Sequence, residues 1–177
     1  MAEKATIYKA NITLSDTDRH YYDDLNLTLA LHPSETLERM AVRLLAFCFN
    51  AAAKPVFNKG LSSPDEAELW CKSDDGRILN WIEVGQPSVD RLKKASSQSV
   101  AVEVFAYGRG VDIWWQQQRD AISAMPKVTM HYFAAEELQA LVPLVEKNMQ
   151  WSVTIAESLV YVSSGDATVS ISLLEMP

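Results

Sequence analysis

Two carboxylates, Glu68 and Glu83, lie in the stretch AELWCKSDDGRILNWIEVGQP at residues 67–87, each among large apolar side chains. Their chemistry depends on whether they meet. Asp75-Gly76 is a strong signal for a two-residue hairpin loop, because a type I′ turn needs positive φ at both central positions. With those residues as the loop, Asp74 faces Arg77. Counting outward sets Cys71 against Asn80, Trp70 against Trp81, Leu69 against Ile82 and Glu68 against Glu83. A slip of one residue would set Trp70 against Asn80 and Glu68 against Ile82. The turn and the buried face select the register, and matched tryptophans favour the first. Opposed Cβ atoms in such a pair stand about 4.5–5.5 Å apart. Two carboxylates about 5 Å apart at an effective dielectric near 20 repel by roughly 3 kcal/mol. Three arrangements relieve this: one acid keeps its proton, a basic side chain such as Arg91, Lys93 or Lys94 stands between them, or a divalent cation binds both.

Other reactive side chains offer less. Cys48 and Cys71 lack metal-ligand spacing and sit among apolar residues, which predicts two buried, reduced thiols in a cytoplasmic protein. His20, His32 and His131 are scattered and give little support for a zinc site or a Ser-His-Asp triad. Acidic residues outnumber basic ones by 23 to 16, for a net charge of −7, which argues mildly against non-specific nucleic-acid binding, since phosphate contacts need Lys and Arg. With 48% hydrophobic and 22% charged residues the chain reads as an ordinary globular protein. It has no apolar run long enough to span a bilayer. The N-terminus lacks an apolar signal core, so neither membrane insertion nor secretion is expected.

The elements that must position the acids follow from periodicity. Residues 3–14 alternate as a half-buried strand, 15–22 form a polar turn, and 24–31 form a second strand with Leu25, Leu27, Leu29 and Leu31 on one face. A helix follows Pro33, with Ser34 as N-cap and Glu35 at the positive end of its dipole. Leu37, Met40, Ala41, Leu44 and Cys48 make its buried stripe, widened by Val42, Leu45 and Phe49. VFNKGL reads as a short strand, SSPDE as a turn, and the hairpin comes next. Ser88 caps a helix over 89–98, and 99–107 is a strand, so the unit predicts a right-handed parallel crossover. Helix over 111–122, strand over 127–133, and helix over 134–149 divided by Pro143 complete the pattern. The tail reads as two or three strands with a turn at Ser164-Gly165-Asp166. We read one α+β or mixed α/β domain over residues 1–177.

The stretches KATIYKA, LTLALHPSETLERM, NWIEVGQPSVDRLKKA and IWWQQQ, with the closing strands, span the chain. Within them HPSET and WIEVGQP are the most specific. The chain resembles the YaeQ family of bacterial proteins from end to end. The resemblance implies an α+β fold with a mixed sheet. It is a compact variation of the PD-(D/E)XK nuclease core, helix–strand–strand–strand–helix–strand over about 34–107, with added N- and C-terminal β-hairpins. It further implies a second-strand acid, Glu68 ahead of Asp65, a third-strand acid, Glu83, and a first-helix acid, Glu38 or else Glu35. The motif lysine would stand two residues after Glu83, where the chain has Gly85. Lys93 or Lys94 on the next helix would substitute, with Gln86 a weaker polar candidate.

The implied chemistry is phosphodiester hydrolysis assisted by Mg²⁺ on Glu68, Glu83 and Glu38. The metal would polarise a phosphoryl oxygen and activate a water, and a nearby ammonium would stabilise the developing charge. Arg77, Arg91, Lys93, Lys94 and Arg109 would contact the nucleic-acid backbone, although Arg77 and Arg109 are better read as solvated surface charges. The competing expectation is a binding or regulatory domain with the same fold and a structural acidic–basic cluster. On that view Glu38 pairs with Arg39 or Arg43 on the helix surface. Trp114 and Trp115 would stack bases in a nucleic-acid enzyme, but as adjacent helical residues one should be core and the other should line a groove or partner surface.

Overall fold

The computed structural model describes residues 4–58 and 65–177. The chain opens with β1 (Thr6–Asp16) and β2 (Tyr21–Leu31), an antiparallel pair. Both strands run further into the expected polar turn than the alternation predicts. Asp16 explains this: it is buried, its Oδ1 accepts from the backbone N–H of Asp18 and Arg19 at 3.1 Å, and Arg19 reaches its Oδ2 at 2.9 Å. The expected first strand begins at residue 3, outside the described residues.

Helix α1 (Leu37–Asn50) is enclosed as its pattern demands, with every residue from Met40 to Phe49 buried. Its N-cap is Thr36, not Ser34. Thr36 has extended backbone and its hydroxyl accepts from the Arg39 N–H at 3.1 Å, whereas Ser34 bonds the ring of His32 at 2.8 Å. Glu35 therefore precedes the helix, and Glu38 is the acid of its first turn. A short 3₁₀ turn and left-handed Lys54 lead to β3 (Val56–Phe57); the rest of VFNKGL beyond Asn58, and residues 62–64 of the expected SSPDE turn, lie outside the described residues.

In the hairpin of β4 (Leu69–Lys72) and β5 (Ile78–Val84), Cys71 pairs with Asn80, Trp70 with Trp81 and Leu69 with Ile82, as predicted. The loop is one residue longer than expected: Ser73 and Arg77 close it, with Gly76 at φ 84°. A bulge between Cys71 and Lys72 absorbs the extra residue and restores the register. The ladder ends at Leu69–Ile82, so Glu68 stands just before it rather than on a paired position.

Helix α2 (Val89–Gln98), capped by Ser88, returns the chain to β6 (Ser99–Ala106), parallel to β5. Then come α3 (Val111–Ser123), β7 (Val128–Tyr132) parallel to β6, and α4 (Ala135–Leu141). The predicted helix over 134–149 stops early. Pro143 sits in a 3₁₀ turn over Val142–Leu144, and β8 (Asn148–Ala156) has already begun by 148. The chain finishes with β9 (Leu159–Ser164), β10 (Ala167–Ser172) and β11 (Leu174–Glu175). The expected terminal hairpins are present, as β1–β2 and β8–β9–β10. They merge into one five-stranded sheet, β10-β9-β8-β1-β2, through parallel pairing of β1 with β8.

The second sheet is six-stranded, in the order β11-β7-β6-β5-β4-β3, and is also mixed. One core joins α1 and α4 to both sheets, through Ile12, Leu29, Ile82 and Phe105 among others. A smaller one packs α2 and α3 on the far face of the second sheet, around Trp81, Leu92, Val104 and Trp115. The fold is α+β with mixed sheets, and no helix among the described residues is long and apolar enough to cross a membrane. Cys48 and Cys71 are free and buried, and burial pushes their thiols up to about 12 and about 11. Gly76→Val should cost about 1–2 kcal/mol in urea unfolding, because the position is left-handed with open space around it, and Gly76→Asn should cost less.

Candidate functional site

The alternation of β5 places Trp81 and Glu83 on the face toward α2. The Trp81 indole N–H donates to Glu83 Oε1 at 2.6 Å. The Ser88 cap, which receives the Arg91 N–H at 3.1 Å, sets the rotation of α2 so that Arg91 points back at the same carboxylate. Arg91 Nε and Nη2 lie 2.9 and 2.8 Å from Glu83 Oε1, and Nη2 also donates to the Glu66 carbonyl at 2.7 Å. Beside this pair the rings of Trp70 and Trp81 meet edge to face, 5.9 Å apart.

Glu68 is answered from the other side, by α1. Arg39 donates through Nη2 to Glu68 Oε1, and Arg43 Nε stands 4.0 Å from Oε2. Both arginines return to Glu35, Arg43 Nη1 at 2.9 Å and Arg39 Nε at 3.7 Å. Arg43 also donates to the Ala30 carbonyl at 3.3 Å and lies over the Phe57 ring. Three acids, Glu35, Glu68 and Glu83, thus meet three arginines, Arg39, Arg43 and Arg91. Glu68 is 2% exposed and Glu83 3%, so their charge is compensated by protein rather than water. Burial pushes the Glu68 carboxyl up; Arg39 and Arg43 pull it down by less, and neighbouring Glu83 adds to the rise. The two acids do stand close enough to repel.

The remaining candidates are not bonded to either acid. Glu38 has no ion-pair partner among the described residues, and its predicted partners Arg39 and Arg43 turn to Glu35 and Glu68 instead. Lys94 pairs with Asp65 at the surface. Lys93 lines a separate cavity with Ser97 and Lys127. Neither lysine fills the motif position. Gly85 there has φ 100°, and a Cβ on it would sit 3.5 Å from Arg39 Nη1 and 3.8 Å from the Tyr107 ring. Gln86 donates to the carbonyls of Tyr107 and Arg109 at 3.0 and 3.2 Å, holding the loop after β6. Arg77 and Arg109 are exposed. Trp115 is core and Trp114 half-buried, donating to the Pro87 carbonyl at 3.3 Å.

Arg39 and Arg43 are the residues that sequence reasoning missed as partners of the acid pair. The available signal was their setting: an arginine inside RMAVRLLAF, on a helix apolar all round, must be buried with an anion. Among the described residues no three His, Cys, Asp or Glu side chains stand together as metal ligands would. With Glu68 and Glu83 matched by guanidinium groups, the donor set does not fit a resident Mg²⁺.

A second polar group occupies the face of the sheet toward α1. Asn50 and Asn80 donate to Glu103 at 3.1 and 3.4 Å, and His131 Nε2 stands 3.9 Å from it. Burial holds His131 below its ordinary 6.5, against the pull of Glu103 and Glu175.

These features define an α+β protein with two mixed sheets and a buried, charge-balanced cluster between its first helix and its central hairpin. Residues 1–173 match the family model described as YaeQ protein, and the chain belongs to the YaeQ family. It is 38% identical over 174 residues to the uncharacterized protein YaeQ of Escherichia coli (strain K12), and 40% to that of Salmonella typhi, covering 98% of this chain and 96% of each relative. The crystal structure of the YaeQ protein from Pseudomonas syringae is similar with a TM-score of 0.92 at 37% identity, covering 98% of this chain and 96% of that one. That of the YaeQ protein from Xanthomonas axonopodis pv. citri has a TM-score of 0.91 at 34% identity, covering 97% of each.

Arg43→Ala should lower stability by about 3–5 kcal/mol in urea unfolding, since it removes the buried guanidinium that Glu35 and Glu68 share, whereas Arg77→Ala at the exposed hairpin tip should stay within about 0.5 kcal/mol. Stability should also fall as pH drops below 6.5, because the unfolded chain takes up the His131 proton before the folded one does. His131→Gln should flatten that part of the stability–pH profile.

Proposed function

We propose that this protein is a binding domain on a PD-(D/E)XK nuclease-like core whose acidic pair is structural. The helix–strand–strand–strand–helix–strand order from α1 to β6 supports the nuclease-like reading of the core. The observation that carries the functional reading is that Glu68 and Glu83 are almost wholly buried and each is bonded to its own arginine. A hydrolytic centre needs carboxylates free to bind a cation and exchange water. Here Glu68 is bonded to Arg39 and Glu83 to Arg91. The motif lysine's position is left-handed glycine, and Lys94 is engaged by Asp65. Two reduced, buried thiols fit a cytoplasmic setting.

The hydrolytic alternative retains one observation in its favour, the closeness of Glu68 and Glu83, and would use Glu38 as third ligand. Glu83→Gln separates the two. If the cluster is structural, the substitution should cost about 1.5–3 kcal/mol, the range for a hydrogen bond to a charged group, and the wild type should bind neither Mg²⁺ nor Mn²⁺ at millimolar concentration by calorimetry. A catalytic acid behaves oppositely: its removal leaves stability unchanged or raises it while abolishing metal uptake. Metal-dependent cleavage of DNA or RNA lost in a fully stable Glu83→Gln variant would overturn the proposal.

A further inference from the structure

The outer edge of β7 is only partly covered. The strand has five residues, Val128–Tyr132, yet β11 pairs with His131 and Tyr132 alone, and the Val128 N–H donates to the Met125 carbonyl at 3.2 Å, so the uncovered stretch is Thr129 and Met130. Beyond β11, Met176 packs on the α2–α3 core and the Pro177 carbonyl accepts from the Trp115 indole at 2.8 Å. Alongside the uncovered part of β7 runs a groove of about 530 Å³, floored by Trp115, Ile122, Met125, Val128 and Met130. A neighbouring cavity of about 360 Å³ shares Met125 with it. Around the two stand Arg119, Lys93 and Lys127 against one acid, Glu175, in a chain whose net charge is −7. Among the described residues Arg119 and Lys93 have no ion-pair partner. Lys127 donates to the carbonyls of Ser96 and Ser99.

We propose that this edge is a docking site for an extended acidic peptide segment of a partner protein, which adds as an antiparallel strand to β7 in place of β11. A partly unpaired strand edge offers backbone donors and acceptors that only another extended chain can match. The apolar floor takes alternate side chains, and the cationic rim takes carboxylates. Leu174–Met176 already display the mode, with two paired residues and then a side chain seated on the floor. Because β11 is so short, a longer strand can displace it. The inference gives the binding reading above its class of partner and rests on it. The groove shares no residue with the acidic cluster, so failure of peptide docking and failure of the structural reading of the acids appear in different measurements.

The test uses the full chain and a short fluorescent synthetic peptide alternating Glu or Asp with Val or Ile, blocked at both ends. Saturable binding by anisotropy is expected, with amide shifts in Val128–Tyr132 by NMR. Arg119→Glu should weaken binding by about tenfold, equivalent to losing one charge-assisted contact, and Arg119→Gln should fall between. Leu174→Pro, which loosens β11, should strengthen it severalfold. Thermal unfolding checks that each variant is folded. The proposal is overturned by absence of saturable binding at millimolar peptide, by binding indifferent to Arg119, or by a single-stranded oligonucleotide shifting the same amides in the peptide's stead.

Discussion

A helix buried on nearly all sides cannot carry two arginines without anions to meet them, and that constraint organises this molecule. Arg39 and Arg43 sit one turn apart on α1 and are held by Glu35 from the loop before the helix and by Glu68 from the edge of the hairpin. Removing charge from water is costly, and attraction offsets the cost only where geometry is good and remaining donors are satisfied. The Ala30 carbonyl and the Phe57 ring serve the rest of Arg43. The cluster therefore ties β2, α1, β3 and the hairpin to one another, and restricts how α1 can rotate between the two sheets.

The same logic extends across the sheet. Glu83 is bound by Trp81 on its own strand and by Arg91 on the following helix, so the crossover from β5 to β6 is pinned close to its start. Arg91 also holds the Glu66 carbonyl, which links α2 to the chain entering β4. Acids that resemble a catalytic pair by spacing thus act as the acceptors of a charge-matched lattice. Perturbed carboxylates mark active sites often enough to be informative, but buried ion-pair networks perturb them in the same way. Here the neighbours of the two acids are Arg39, Arg43 and Arg91, and the proposed binding role rests on that pairing.

Register in the hairpin shows two errors of local reading cancelling. A two-residue loop would set Trp70 against Trp81; a three-residue loop with a bulge at Cys71–Lys72 reaches the same pairing. The packed edge-to-face tryptophans, not the turn, are what both solutions preserve. The bulge keeps Cys71 buried and shifts only the pairs nearer the turn, whereas a slipped register would turn every side chain of β4 to the wrong face.

What the sequence determined alone is what neighbouring residues decide among themselves. Ser88 capping α2, the apolar stripe of α1, the Gly165 turn and the match of Trp70 with Trp81 all depend on interactions spanning a few residues or one hairpin. The presence of Glu68 and Glu83 among apolar side chains was equally legible. Arg91, one of three cations expected from the next helix, answers Glu83, but the cations that answer Glu68 were not legible. Arg39 reaches Glu68 across 29 residues of chain, and whether it does so depends on the rotation of α1 between two sheets. The shift of the cap from Ser34 to Thr36, the pairing of Lys94 with Asp65, and the union of β1 and β2 with β8, β9 and β10 in one sheet are likewise tertiary outcomes. Each is settled by the burial of surfaces far apart in the chain, and no local propensity carries that information.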